Sequence, residues 1–441
     1  MKTIIRNATI VNEGERFEAS VLISDGIIER IERNGDIDQP NASVVDAKGA
    51  FLLPGAIDDH VHMRDPGLTH KATMESETAA AAAGGVTSVL DMPNVLPQTT
   101  TIALVNERHK FAKGKCHVNY AFYLGATSNN IEEVLRADEP HIPGVKLFMG
   151  SSTGNMLVDN EWGLSRIFRE CPTILMTHCE SSDRINKRTK EVQKEFGEDP
   201  NITHHPEIRD EEACYQSTAL AVQLAKESGT RLHVAHLSTA RELELFTPEN
   251  PHITAEACVP HLIFTQEDYH TLGTRIKCNP SIKRKEDREA LRQALNDGRI
   301  SLIATDHAPH LLREKEGGCV KAVSGMPMIQ FSLPAMLTLA DEGILSIERV
   351  VELMCHAPAK LFGIKQRGFI REGYKADLAL MTHTPHTVTD QEVKSLCGWT
   401  PLNGKTLNWT VARTWVNGQL AWDGNEVNAG AWGEALEFER H

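Results

Sequence analysis

The sequence predicts an α/β protein: a TIM-type (β/α)8 barrel carrying a small β-rich domain built from both chain ends. Three observations lead there. Between residues 51 and 307, eight short apolar runs alternate with helical stretches. Five of those runs end in His, Lys or Asp. Both ends of the chain read as strands and turns with no sustained helical period. A doubly wound sheet is the alternative, but it does not ordinarily gather eight strand ends at one site. Neither GxGxxG nor GxxxxGK[ST] is present.

Taken in order, residues 1–53 contain KTIIRNATIVN, then ASVLISDGIIERIER with an Asp25-Gly26 turn, then SVVDAKG. This stretch is too short for a comfortable domain alone. Residues 54–368 form the expected barrel. Its strands are FLLPGAIDD (which begins at residue 51), VTSVLDMP, VNYAFYLG, GVKLFMG, TILMTHC, RLHVAHLS, HITAEACV and SLIATDH. The helices expected between them are ESETAAAAAG, TIALVNERHKFAKG, IEEVLRAD, NEWGLSRIFRE, DEEACYQSTALAVQLAKESG, ARELELFT and KEDREALRQALNDG. Two longer apolar-periodic segments follow the last strand. Residues 369–441 return to β character, with Asn417-Gly418 and Asp423-Gly424 as hairpin turns. Paired, the two ends make a plausible sheet or sandwich.

With 441 residues, 41% apolar and 24% charged, the composition is that of a globular protein with a large core. A formal charge of -14 argues against nonspecific attraction to nucleic acid or anionic membranes. Nine irregularly spaced cysteines without CxxC predict a reducing cytoplasm. No apolar run of 18 residues and no signal-peptide core is seen.

The chemistry concentrates at strand ends. His60 and His62 alternate along the first strand, so both imidazoles project to one side and can hold a divalent metal such as Zn²⁺. Lys146, His178, His236 and Asp306 end four later strands. This set exceeds the needs of one four-coordinate zinc and suits two metals about 3.5–4 Å apart. Lys146 is the odd member, because an ammonium beside two cations is repelled. It joins the set only if neutral or converted by CO₂ to an anionic carbamate; otherwise it is a structural lysine in an ion pair. Asp306 suits proton transfer, or it caps a helix. His310, beyond the strand end, is a better ligand-binding residue than His307, which suits packing equally well. Arg64 can clamp a carboxylate. Asn94 and Asn279 offer neutral hydrogen bonds, or they sit in turns. Residues 311–328 form a lid or a solvated loop. Cys179 and Cys258 lack an evident base partner, which disfavours a covalent thiol mechanism.

The segments PGAIDDHVHMRDPG, DMPN, VKLFMG, THCE, HVAHLST, CNPS and ATDHAPH, spanning about residues 54–310, resemble the dihydroorotases of the amidohydrolase superfamily, with hydantoinases and allantoinases as near relatives. Arg64, Asn94 and His310 favour the dihydroorotases. Pro260-His261-Leu262, where the family often has Pro-His-His-Leu, is a departure. The resemblance implies a zinc-dependent enzyme with two metals per subunit. His60, His62 and Asp306 would hold the more buried metal, His178 and His236 the outer one, and carboxylated Lys146 would bridge them. Arg64, Asn94 and His310 would receive the substrate carboxylate, and Asn279 the ring. The implied reaction is reversible hydrolysis of (S)-dihydroorotate to N-carbamoyl-L-aspartate in pyrimidine biosynthesis, by activated hydroxide with Asp306 as general acid and base. A homodimer is also a family expectation. Other readings are an allantoinase or hydantoinase and, from another class, a noncatalytic binding protein on the same fold. His204 and His205 stay outside the metal set.

Overall fold

The computed structural model describes residues 2–150, 156–158, 160–430 and 432–440. The N-terminal strands are β1 (Lys2–Asn12), β2 (Glu15–Ser24), β3 (Ile27–Arg33), β4 (Ser43–Asp46) and β5 (Phe51–Pro54). The turn between β2 and β3 has positive φ at both Asp25 and Gly26, the geometry that lets two residues reverse a hairpin.

The expected single strand over 51–59 is two strands. β5 belongs to an antiparallel pairing, while β6 (Ala56–Val61) starts a parallel one. Gly55 separates them because the backbone passes against Thr87; a Cβ there would lie 2.1 Å from Thr87 Oγ1. Apolar continuity through FLLPGAI hides this change of partner.

The parallel strands are β6, β7 (Val86–Asp91), β8 (Asn119–Phe122), β9 (Leu124–Gly125), β10 (Val145–Phe148), β11 (Leu175–His178), β12 (Leu232–Val234), β13 (Ile253–Cys258) and β14 (Leu302–Ala304). They pair in the orders β6-β7-β8 and β9-β10-β11-β12-β13-β14. Only Tyr123 separates β8 from β9, and a parallel bridge between Val61 and His307 joins the far ends. Ile57, Leu90, Met92, Tyr123, Met176 and Phe362 are among the apolar side chains buried together in one core cluster of this part. Helices lie between most successive strands, the longest among the described residues spanning Glu211–Ser228. The segment expected as a helix over 240–247 is a 3-10 turn at Glu242–Leu245. A helix at Ser182–Phe196 was not expected, since its mostly charged sequence buries only Ile185 and Val192.

The chain closes with β15 (Leu378–Thr382), β16 (His386–Thr387), β17 (Thr406–Leu407), β18 (Thr410–Val416) and β19 (Gln419–Trp422). One sheet runs β19-β18-β15-β5-β1-β2-β3, with β4 also beside β1. Both chain ends thus share a sheet, whose apolar face buries Ile5, Ile10, Val21, Leu52, Leu378 and Trp415. The tail beyond β19 leaves that sheet: Leu436 N–H donates to Tyr120 O at 2.9 Å, and Phe438 bridges Ile364.

Candidate active site

Every residue singled out for chemistry lines one cavity of about 440 Å³: His60, His62, Arg64, Asn94, Lys146, His178, His236, Asn279, Asp306 and His310. Their placement follows from the parallel ladder. His60 and His178 lie near or at the ends of β6 and β11, and His236 and Asp306 follow β12 and β14 by two residues. The β6–β7 register shifts around Asp58–Val61, an irregularity that re-aims neighbouring side chains. Arg64, His236 and Asp306 all have positive φ, at 63°, 38° and 48°. Such strain at non-glycine positions persists only where surrounding structure enforces it.

The protons around the histidines can be placed from their partners. His60 Nδ1–H donates to Glu256 Oε1 at 2.6 Å, and His62 Nδ1–H to Asn94 Oδ1 at 2.9 Å. With the hydrogen on Nδ1, each ring turns Nε2 toward Asp306 Oδ1, at 3.4 and 3.1 Å. Three acceptors face one another with no hydrogen among them, an arrangement that calls for a cation. His178 Nε2–H donates to Glu180 Oε2 at 2.9 Å, so its Nδ1 faces His236 Nε2 at 2.9 Å. Donor atoms of His60, His236 and Asp306 all lie within 4.8 Å of one another.

Charge states fit this picture. Burial drives His62 down to about 4 and His178 and His236 below the ordinary histidine range, which leaves them neutral and able to ligate. Burial pushes Asp306 up, and a proton on a neighbouring His60, His62 or His236 ring outweighs it and holds the carboxyl below the usual range, the same demand for positive charge that a bound cation would meet. Lys146 is fully buried, and among the described residues its Nζ has no hydrogen-bond partner. Burial lowers its affinity for a proton, only partly opposed by Glu256 and Asp306. An orphaned, readily neutral amine amid metal-binding groups suits conversion to a carbamate. The donor set therefore fits divalent metal.

A second corner of the cavity is cationic. Arg64 Nη2 lies 2.9 Å from His310 Nε2, and Lys71 Nζ lies 3.0 Å from His310 Nδ1. Arg64 Nε–H also donates to Pro309 O. Asn279 Oδ1 accepts from Ser324 Oγ at 3.0 Å. Residues 319–325 supply much of the remaining wall. This part of the 311–328 segment is tied down: the buried Lys315 donates to Val323 O and Gly325 O, and Asp199 accepts three backbone N–H groups.

Several supporting residues escaped sequence reasoning. Glu256 also accepts the His236 backbone N–H at 3.1 Å. A carboxylate inside the apolar run HITAEACV was the available signal, since buried acids need partners. Glu180, in THCE, pairs with the Arg209 guanidinium. Lys71 gave no signal beyond a polar loop. His205 lines the cavity, with Nε2 2.9 Å from Cys278 O. His307 is structural: its Nε2 lies 2.7 Å from Glu77 Oε2, while Nδ1 accepts from Met328 N. All nine cysteines are free, and burial pushes the Cys179 thiol up to about 12, against any thiolate role.

The chain is similar over nearly its whole length to known proteins. A dihydroorotase of Halobacterium salinarum is 33% identical over 94% of this chain and 98% of that protein. An L-hydantoinase of Paenarthrobacter aurescens is 31% identical over 96% and 95%, and an allantoinase of Bacillus velezensis 30% over 98% and 97%. Among solved structures, an L-hydantoinase (dihydropyrimidinase) from Arthrobacter aurescens superposes with a TM-score of 0.93 at 29% identity, covering 99% of each chain. Residues 51–421 match the amidohydrolase family as a whole. The chain belongs to the amidohydrolase family and is a hydrolase, with residue groups able to hold a metal.

Proposed function

We propose that this protein is a dihydroorotase, interconverting (S)-dihydroorotate and N-carbamoyl-L-aspartate. The carrying observation is the cationic corner of Arg64, His310 and Lys71 in the same cavity as the convergent histidines. A free carboxylate on the substrate ring accounts for that corner; hydantoin and allantoin offer none. We further propose a (β/α)8 barrel over 54–368, with residues 1–53 and 369–441 as the small β domain.

Two zinc ions, held by His60, His62, His178, His236, Asp306 and Lys146 carboxylated by CO₂, would supply the activated water and polarise the ring carbonyl. The remaining work falls to the chain. Asp306, ionised across the neutral range, takes the proton from the attacking water and passes it to the ring nitrogen as the amide bond breaks. Ring closure runs the same transfer backwards. Arg64, Asn94 and His310 hold the substrate carboxylate, and Asn279 the ring. The nine free cysteines are in keeping with a reducing cytoplasm, and homodimer formation rests on family resemblance alone.

A hydantoinase or allantoinase reading is kept by the comparable identity to those relatives. The deciding experiment is turnover of dihydroorotate, hydantoin and allantoin by metal-replete protein at one enzyme concentration. Preference for dihydroorotate is expected; equal turnover of a neutral hydantoin overturns the assignment. A fully metallated but inert protein would mean a binding role.

A further inference from the structure

We propose that Lys71 fixes the tautomer of His310 and so makes the Arg64–His310 pair a receptor for one carboxylate. This rests on the substrate reading above. His310 is flanked on both ring nitrogens by groups that donate hydrogen bonds: Arg64 Nη2 at 2.9 Å from Nε2, and Lys71 Nζ at 3.0 Å from Nδ1. Burial first, then the charges of Arg64 and Lys71, hold the ring neutral. A neutral imidazole has one donor and one acceptor nitrogen, so it satisfies only one of these neighbours.

The two distances are alike, and the anchoring of Lys71 selects which one. Lys71 is mostly buried and paired with Glu314 Oε1 at 2.8 Å, and that carboxylate is itself fixed by the Leu311 N–H. An ammonium anchored this way donates to Nδ1, which must then accept. The ring hydrogen is thereby placed on Nε2, facing the guanidinium. Arg64 Nη2 and the Nε2–H then stand 2.9 Å apart as two donors, and neither can satisfy the other. A carboxylate entering there accepts from both. Glu314 does not fill that need, because it stands 3.8 Å from Nδ1, on the opposite edge of the ring. Lys71 therefore acts through His310, as a positioning residue that selects carboxylate-bearing rings over neutral ones.

The test is ¹⁵N NMR of histidine-labelled holoenzyme, with His310 assigned by the signals lost in His310→Asn. The wild type should show protonated Nε2 and bare Nδ1. Lys71→Met should reverse this, because Arg64 then becomes the sole strong donor, and Lys71→Arg should restore it. In Lys71→Met the KM for dihydroorotate should rise roughly 10-fold with kcat little changed, the scale of one charge-assisted hydrogen bond. A protonated Nδ1 in the wild type, or a Lys71→Met protein with an unchanged tautomer, overturns the proposal. Should Lys71→Met fail to fold, the wild-type tautomer decides. Should the wild type not process dihydroorotate, the substrate reading fails separately, and the tautomer measurements still judge the role of Lys71.

Discussion

Glu256 Oε1 joins two histidines from distant segments: it lies 2.6 Å from His60 Nδ1 and accepts the His236 backbone N–H at 3.1 Å. One buried carboxylate from β13, a strand that offers no ligand of its own to the proposed metals, thereby orients the His60 ring and anchors the backbone that carries His236. Supports of this kind typically contribute 10- to 100-fold to metal affinity. Glu256→Gln keeps the shape but weakens acceptance from His60. Zinc affinity, measured by chelator competition, should fall about 10- to 100-fold while circular dichroism stays native. Undiminished affinity would remove Glu256 from the metal site.

Lys146 should take up metal only together with CO₂. Apoprotein reloaded with zinc in CO₂-free buffer should bind little metal and regain it on adding bicarbonate. Lys146→Arg should show no response to bicarbonate. Full loading without CO₂ would mean that the lysine stays unmodified.

Arg64→Met should separate substrate binding from metal binding. Losing a buried bidentate guanidinium should lower kcat/KM for dihydroorotate by about 100-fold. Metal content by elemental analysis should remain that of the wild type, since Arg64 contacts Pro309 and His310 rather than the proposed ligands. A parallel loss of metal would place its role elsewhere.

Glu180 carries a pH signature. Burial raises its pKa, but Arg209 and His178 outweigh that and bring it down to about 2, below the unfolded value near 4.3. A depressed carboxylate stabilises the fold fully above its unfolded pKa, and this contribution is lost as pH falls toward about 2. Glu180→Gln should therefore cost about 3 kcal/mol at neutral pH. Urea denaturation of apoprotein should show that gap narrowing steadily below about pH 4.3. A gap independent of pH would contradict the charge-based account.

The site was more legible than its supports. His60, His62, His178, His236 and Asp306 stand at or just beyond strand ends, and alternation plus parallel topology suffices to bring them to one cavity. Glu256 and Lys71 are defined by what they touch across distant segments, 196 and 239 residues away, and no local pattern encodes that. The same limit explains the fold errors. FLLPGAIDD reads as one strand because hydrophobicity does not report a change of sheet at Gly55. SDRINKRTKEVQKEF has too few apolar residues to announce a helix by period, although Ser181 caps it and Ile185 and Val192 anchor it.

The shared sheet of the two chain ends also sets an order of assembly. β5 lies between β1 and β15, and it leads directly into the strand bearing His60. During synthesis it must wait for residues 378–382 to leave the ribosome before its second neighbour exists. Until then the nascent protein carries an open β edge, prone to wrong pairing. Chains stopped short of β15 should therefore clump instead of yielding a shorter working enzyme.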